Sequence, residues 1–484
     1  KLKYSLIFTF FITTMINTLL EIFREIFIIT KQQPSSIYFI KLFLTFPLIF
    51  GFMLIVQKSL SKYSLSVIYN FLTIIYVIFF ILLGSLLLPN ENLVQKGQVW
   101  VEEYVISVKL EEKRLKFLEP ILYIYGEWIY TAIYVAAEMY GTFMIGLFYF
   151  TFANSLCTKA EMEDIFPYLS STSAISMIIS ALLYMLFDFI KQRVSDDTSM
   201  MITSLLFITL SCLTLLIYFM NKMMEKNFKK SLETVYIPNK TTSNIWKLLE
   251  SRLLRNISII LLVYSFSSGI LDATWKNSLS DASKRYNIPT DKYSSVFVSV
   301  NYTLIPLSIL IVNIFMYKYV IKLGWLFSSL ITPLLSISTF TLISCLSFYN
   351  YPTETEKGFM FNDFLKKMPK FLDFENWTIT ISIVLIKICK FVNFDMAKEM
   401  ISMRIPESKR GKYKSVYDGI CIKLGKSLSA FYGAFFTVLE IPNLKKVAPI
   451  TLALIVITNA YWIKAVLYVN KKFQECQEKN TEFD

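Results

Sequence analysis

The sequence contains no histidine, and this absence removes whole classes of function. Without an imidazole there is no histidine general base, no histidine metal ligand and no serine-type catalytic triad. The six cysteines are scattered singly, mostly within apolar runs, so neither a metal site nor a disulfide framework is expected. We therefore expect no metal and no cofactor.

Charged residues are also sparse. Only 18% of the 484 residues are charged, whereas 55% are hydrophobic, and phenylalanine (42) and tyrosine (29) far outnumber glycine (13) and proline (14). The apolar residues collect into runs of about 20, which is long enough to cross the ~30 Å hydrocarbon core of a bilayer. This pattern predicts an all-α integral membrane protein whose surroundings are lipid.

The apolar runs between charged or polar breaks predict about twelve transmembrane helices in two six-helix halves. They lie near 4–29, 36–57, 64–88, 121–153, 165–190, 199–221, 252–275, 292–317, 322–348, 377–396, 416–439 and 447–469. The expected domains are an N-terminal half (1–221), a basic linker (222–251), a C-terminal half (252–470) and a tail (471–484).

Basic residues in 222–251 and 397–415 place these loops, and with them both termini, on the cytoplasmic side. Two six-helix halves with a basic central loop are typical of the major facilitator architecture. In that architecture a substrate site near the bilayer midplane is exposed alternately to the two sides.

Ionisable residues inside the apolar runs are the best functional candidates, because a charge in hydrocarbon is costly unless it faces a cavity or a partner. The first predicted helix carries Glu21, Arg24 and Glu25, and the fourth carries Glu138. Candidates in the second half are Asp272, Lys276, Lys387, Lys390, Lys423 and Lys426. Simpler interpretations are that Glu25 pairs with Arg24 and that Lys276 reaches the membrane interface from a helix end.

Most of these candidates are basic, which indicates an anionic ligand. Like charges do not gather in a low-dielectric site unless something neutralises them, and a phosphate-bearing substrate would do so. Arginine would supply a planar fork and lysine a point charge. Glu138 and Asp272 would hold the cations while the site is empty. The net charge of +13 is explained in part by cytoplasmic loops, so we expect no nucleic-acid partner.

Several segments resemble the nucleotide transporter (ATP/ADP translocase) family of plastids and obligate intracellular parasites, in its microsporidian type. In EIFREIFII, Arg24 falls at the family's first-helix Lys, and in AAEMYG, Glu138 falls on the Glu of Ala-Glu-Leu-Trp-Gly. In LDATWK, Asp272 falls at the Glu of Val-Glu-Val-Thr-Trp-Lys, and in IKLGKS, Lys426 falls on the family's Gly-Lys-Ser. Further matching positions are Asn154, Trp275, Asp395, Lys398, Glu399 and Asp418.

The resemblance implies a carrier that exchanges ATP for ADP, with other purine nucleotides as further candidate substrates. We expect it to act as a monomer. The functional charges that it implies are Arg24, Glu138, Asp272 and Lys426. Together with the charges found within apolar runs, the expected phosphate-binding residues are Arg24, Lys426, Lys276, Lys390, Lys387 and Lys423. The expected charge-balancing or gating residues are Glu138, Asp272 and Glu21. Arginine in place of the family's first-helix Lys, and aspartate in place of its Glu, change the reach of both groups.

Three alternatives remain at this point. A carrier of another anion, such as phosphate or a sugar phosphate, would use the same basic residues. A membrane enzyme acting on lipid phosphates is disfavoured by the lack of histidine and of clustered acids in the loops. A structural or receptor-like protein would not need these charges. ATPase chemistry is not expected either, because the sequence has no G-x-x-x-x-G-K-[ST] loop.

Overall fold

The computed structural model describes nine stretches and a few single residues of the chain. These are 2–60, 62–110, 115–157, 159–228, 251–311, 324–351, 367–390, 415–441 and 443–479, with 365, 394, 397, 398, 401, 405 and 413. Within them the secondary structure is helical and no strand occurs.

The chain divides into two compact units. The first contains Lys1–Ser36, Ile40–Asn239 and Ser294–Leu307. The second contains Ile37–Phe39, Lys240–Tyr293 and Ser308–Asp484.

The helices up to residue 228 form the first series. They are α1 (Leu2–Lys31), α2 (Ser36–Phe39), α3 (Phe46–Leu60), α4 (Leu65–Leu82), α5 (Glu91–Val94), α6 (Gly97–Ser107), α7 (Glu119–Gly126), α8 (Trp128–Tyr140), α9 (Phe150–Leu156), α10 (Lys159–Lys191) and α11 (Asp196–Phe228). π-Helical stretches at Ile40–Thr45 and Gly141–Tyr149 connect α2 to α3 and α8 to α9.

The helices after residue 251 form the second series. They are α12 (Arg252–Tyr286), α13 (Thr290–Ile311), α14 (Trp325–Asn350), α15 (Leu372–Cys389), α16 (Ile422–Val438) and α17 (Ala448–Lys479). A π-helical stretch, Ser415–Cys421, leads into α16, and a 3₁₀ turn, Leu444–Val447, leads into α17.

Ten helical segments of the described chain are long and apolar enough to cross a membrane, and they coincide with ten of the twelve predicted runs. The other two runs, 377–396 and 416–439, overlap α15 and α16. α15 carries three charged side chains within 18 residues, and α16 has 17 residues including two lysines. The count of twelve therefore stays a prediction.

α12 is longer than the sequence predicts. The predicted end at residue 275 was wrong, because the helix continues to Tyr286. Its last three turns are polar, yet Ser278, Ser280 and Ser283 are buried, so packing maintains the helix where hydropathy falls. The helix ends at Asn287, whose φ of 53° is left-handed and whose N–H reaches the carbonyls of Ser283 and Lys284.

α1 is packed closely against α10 in the first unit through small hydroxyl side chains. Thr14 Oγ1 lies 2.6 Å from Ser176 Oγ, and Ser180 Oγ donates to the carbonyl of Met15 at 3.2 Å. Small polar residues allow helices to approach closely where lipid offers no hydrophobic driving force. This close packing fixes α1 against α10 just N-terminal to the charged segment at residues 21–25.

Candidate functional site

Arg24 on α1 forms a buried ion-pair cluster in the first unit. Its Nη1 lies 2.9 Å from Oε1 of Glu138 on α8, and its Nη2 lies 3.0 Å from Oε1 of Glu25. The side chains of Arg24 and Glu138 are each only 12% exposed. The fork of the guanidinium thus serves two carboxylates, while its Nε has no hydrogen-bond partner within the described part of the chain.

Neighbouring residues orient this cluster. The guanidinium of Arg24 lies over the ring of Tyr134, 5.3 Å from its centroid, at a distance suited to a cation–π contact. One turn before Arg24, Glu21 accepts a hydrogen bond of 2.9 Å from Nδ2 of Asn17. A Cβ added to Gly141 would lie 2.7 Å from Oδ1 of the same asparagine, so α1 and the start of the π-helical stretch after α8 approach closely here.

Asp272 and Lys276 form the corresponding pair in the second unit. Lys276 Nζ lies 3.2 Å from Asp272 Oδ2, one turn earlier on α12. The lysine side chain is 1% exposed and the aspartate 31% exposed, so the carboxylate reaches solvent-accessible space while the ammonium does not. The interpretation that Lys276 reaches the interface from a helix end was wrong, because α12 extends ten residues beyond it.

Trp275 fixes the neighbouring turn of α12. Its Nε1 donates to Thr380 Oγ1 on α15 at 2.9 Å, and both residues are buried. A buried indole N–H needs such a partner. The tryptophan of the family-like motif therefore connects the helix of the Asp272–Lys276 pair to α15.

Glycines bring α12 and α16 into unusually close contact. A Cβ on Gly425 would lie 2.5 Å from the carbonyl oxygen of Leu262, and a Cβ on Gly269 would lie 2.1 Å from Ser429 Oγ. The residue numbers rise together along both helices, so α12 and α16 run in the same direction. Lys426 therefore lies about six residues, or about 9 Å, before Asp272 along this pair of helices.

Lys426 faces away from the apolar side of α16. Leu424, Leu428, Phe431 and Phe435 are exposed on one side of the helix, as expected for residues in contact with lipid. At 100° per residue, Lys426 lies about 140–180° from these four side chains, yet it is also exposed. An exposed lysine on the face opposite the lipid-facing one is available to a ligand.

The remaining lysines are placed less specifically. Lys387 and Lys423 are half-buried within α15 and α16, Lys390 caps the end of α15, and Lys398 is half-buried. Asp395 and Glu399 lie outside the described residues, as do the side chains of Asn154 and Asp418, residues 229–250 of the linker and residues 480–484 of the tail. The structure thus joins Arg24 to Glu138, and Asp272 to Lys276.

The sequence did not single out a polar cluster at the end of α1. Lys31 Nζ lies 3.3 Å from Oε1 of Glu91, while Gln95 donates to the buried carboxylate of Glu127. Gln32 donates to Thr131 Oγ1 and to the carbonyl of Glu127, which connects α1 to the start of α8. Burial raises the pKa of Glu127 to about 7, opposed by the positive charge of Lys31.

A second missed set comprises the buried pair Glu375–Lys445 and the half-buried pair Asp281–Arg285, which are connected by ion pairs in the second unit. They occur in polar segments that hydropathy assigns to helix ends or loops. The only sequence signal for this set was the i,i+4 spacing of Asp281 and Arg285, and such opposite charges are common on exposed helices.

Comparison with known proteins agrees with these features. A model of the TLC ATP/ADP transporter family matches residues 2–473. The chain is 27% identical to ADP,ATP carrier protein 3 of Encephalitozoon cuniculi over 98% of its own length and 89% of that protein. It is 21% identical to ADP,ATP carrier protein 1 of Paranosema grylli, covering 98% and 88%. It is 23% identical to ADP,ATP carrier protein 4 of Rickettsia conorii, covering 96% and 90%.

Solved structures show the same fold at low sequence identity. The nucleoside transporter NupG is similar with a TM-score of 0.59 and 12% identity, covering 96% of this chain and all of NupG. A bacterial homologue of the iron transporter ferroportin gives a TM-score of 0.57 and 12% identity, covering 96% and 98%. The predicted major-facilitator-like helical fold is therefore confirmed. Since the family model extends over nearly the whole chain, this protein is a multi-pass membrane protein that belongs to the TLC ATP/ADP transporter family.

Proposed function

We propose that this protein carries ATP and ADP across a membrane by alternating access and exchanges one nucleotide for the other. Family membership and the names of the related carriers support the nucleotide assignment. By the same relationship, the proposed membrane is the plasma membrane of an intracellular parasite, where exchange would import ATP from the host. The two-half division predicted from the sequence is part of this proposal.

The observation that carries the proposal is the Arg24–Glu138 pair. A buried cation without a partner costs several kcal/mol of free energy. A carrier without substrate therefore needs an anionic side chain, here Glu138, to pair with Arg24. A phosphate can take the place of Glu138 on the guanidinium fork with two parallel hydrogen bonds. Arg24 Nε is buried and has no hydrogen-bond partner within the described residues, so the guanidinium keeps a further donor for a phosphate that replaces Glu138.

The spacing of charges in the second unit favours a nucleotide over a small anion. Lys426 and the Asp272–Lys276 pair differ by about 9 Å along their helices. A single phosphate could not reach both levels at once, whereas a ligand with several phosphates and a sugar can. We assign Lys426 to phosphate binding and Asp272 to holding Lys276 in the empty state.

The test is uptake of labelled ATP into liposomes that contain purified protein and are preloaded with ADP. Lys426→Ala and Glu138→Ala should each lower uptake about tenfold or more at equal amounts of folded protein. The matched control is Lys472→Ala, because Lys472 pairs with Glu475 at an exposed site where both side chains are at least 40% exposed. That variant should transport like the wild type, since exposed pairs contribute little.

Competition separates nucleotide transport from transport of another anion. Unlabelled ADP should compete with labelled ATP, whereas inorganic phosphate or a sugar phosphate at the same concentration should not. Equal competition by phosphate would favour the carrier of another anion. Folded protein without saturable nucleotide uptake would refute the proposal.

A further inference from the structure

A buried ion network joins four helical elements at one end of the second unit. Lys445, in the turn before α17, lies 3.0 Å from Glu375 Oε2 on α15 and 3.2 Å from Asp281 Oδ2 on α12. The side chains of Lys445 and Glu375 are both 0% exposed. A lysine with no access to solvent thus holds two carboxylates from two different helices.

Arg285 and α14 complete the network. Arg285 Nε donates to Asp281 Oδ1 at 3.0 Å, and its two Nη groups donate to the carbonyls of Asn350 and Tyr351 at the end of α14. From α14, Ser347 Oγ and Asn350 Nδ2 donate to Glu375 at 2.8 and 2.9 Å. Each of the four charged side chains therefore has a charged partner, and two cations balance two anions.

Burial distinguishes the network from Lys426. Lys426 is exposed, whereas Lys445 has no access to solvent and contacts two carboxylates. We therefore assign the network no part in substrate binding. Its members instead converge on α12, the helix that carries Asp272 and Lys276.

A second contact between the same two helices lies nearer to the site. Trp275 on α12 donates to Thr380 on α15. From there to the ion network is six residues forward on α12, to Asp281, and five residues backward on α15, to Glu375. The two helices therefore run antiparallel and are joined at two levels about 8–9 Å apart. Lys276 follows Trp275 directly. Its axial position relative to α15 therefore depends on both the Trp275–Thr380 contact and the ion network.

We infer that Asp281, Arg285, Glu375 and Lys445 are positioning residues, which fix the axial register of α12 against α15 and thereby the positions of Asp272 and Lys276 for substrate binding. This inference rests on the proposed transport function. Replacing a buried ion pair by uncharged residues of similar size often leaves stability unchanged, while some such pairs specify one register among several. Register, rather than stability, is the property that the network determines.

The experiment compares Lys445→Met, Glu375→Gln and the double variant. Lys445→Met leaves a buried carboxylate without its lysine, and Glu375→Gln leaves Lys445 with one carboxylate, so each single variant should lower the Tm. The double variant removes the charge pair. The glutamine carbonyl still accepts from Asn350 and its amide donates to the Ser347 hydroxyl, while Asp281 keeps Arg285. Its Tm should return to within a few degrees of the wild type. Its apparent KM for ATP should stay raised by about ten- to a hundredfold, because a site displaced by about 1 Å loses that much.

The matched control is the exposed pair Lys472–Glu475, replaced by methionine and glutamine in the same way. Neither its Tm nor its KM should change. If the Glu375–Lys445 double variant recovers both Tm and KM, the network contributes only stability and the inference is wrong.

A second measurement needs no transport and tests register directly. With the six native cysteines replaced by serine, Trp275→Cys is combined with Thr380→Cys, Asn376→Cys or Val384→Cys and treated with a short bifunctional thiol reagent. These substitutions remove the Trp275–Thr380 level, so register then depends on the ion network alone. Cross-linking should be confined to 275–380 while the network is intact and should spread by one turn, to 376 and 384, in the double variant. An unchanged pattern would overturn the inference, whatever the outcome of the ATP uptake assay.

Discussion

The close approach of α12 and α16 makes Gly425→Ala an informative substitution. The added Cβ would lie 2.5 Å from the carbonyl oxygen of Leu262, about 0.9 Å closer than the 3.4 Å at which ordinary contact begins. That oxygen belongs to the backbone of a long helix and cannot rotate away, so the helices must separate by about 1 Å. Overpacking of this kind costs about 1–3 kcal/mol. A shift of about 1 Å at the adjacent Lys426 should lower the ratio of maximal uptake rate to KM for ATP by up to about a hundredfold.

Gly269→Ala tests the same contact between α12 and α16, but here a second substitution can relieve the clash. Its Cβ would lie 2.1 Å from Ser429 Oγ and 2.7 Å from Ser429 Cβ, both side-chain atoms. Adding Ser429→Gly should therefore restore transport in Gly269→Ala. No truncation of a neighbouring side chain should restore Gly425→Ala, because Leu262 meets it with a backbone atom.

The assay is initial uptake of labelled ATP by liposomes with matched amounts of protein, together with the Tm in detergent. The control is Gly51→Ala on α3, because a Cβ at Gly51 meets nothing within 4 Å. Gly51→Ala should leave uptake unchanged. Wild-type uptake by Gly425→Ala would refute the argument that this approach of helices determines the site.

Three further substitutions have expected outcomes. Arg24→Lys keeps the charge but offers one ammonium to two carboxylates, so the KM for ATP uptake should rise about tenfold, and an unchanged KM would show that the fork is dispensable. Gly141→Ala meets only the flexible end of Asn17, so its loss of uptake should be smaller than that of Gly425→Ala, and an equal loss would contradict this. Burial raises the pKa of Glu127 from 4.5 to about 7, so the folded protein keeps a proton that the unfolded chain releases above about pH 4.5. Stability should therefore fall as pH rises from about 4.5 to about 7, by at most about 3 kcal/mol, and then level off. The decrease in Tm between about pH 4.5 and about pH 7 should be absent in Glu127→Gln. A decrease that persists in this variant would show that another group causes it.

Hydropathy and isolated charges predicted much of the first unit. Long apolar runs define α1, α10 and α11, because lipid requires such runs wherever a helix is exposed to it. A charge within such a run, as at Arg24 or Glu138, is costly enough to indicate function from one sequence. What the sequence could not give is that these two residues, 114 positions apart, lie in contact.

The second unit was predicted less well, because burial there does not follow hydropathy. The last turns of α12 are polar, yet Ser278, Ser280 and Ser283 are buried there, and Glu375 and Lys445 are buried as well. In the sequence such residues are indistinguishable from solvated loop residues, since their partners come from distant segments. The close approach of Gly425 to Leu262 could not be predicted from the sequence either. A glycine in an apolar helix indicates close packing, but it does not show which residue packs against it.

Exchange of one nucleotide for the other requires a nucleotide on both sides of the membrane, so loaded and empty liposomes should differ. Liposomes containing the wild-type protein are loaded with ADP or left empty, and the initial rate of labelled ATP uptake is compared. We expect rapid uptake only in loaded liposomes, with one ADP released for each ATP that enters. Equal uptake into empty liposomes would contradict exchange and indicate net import instead.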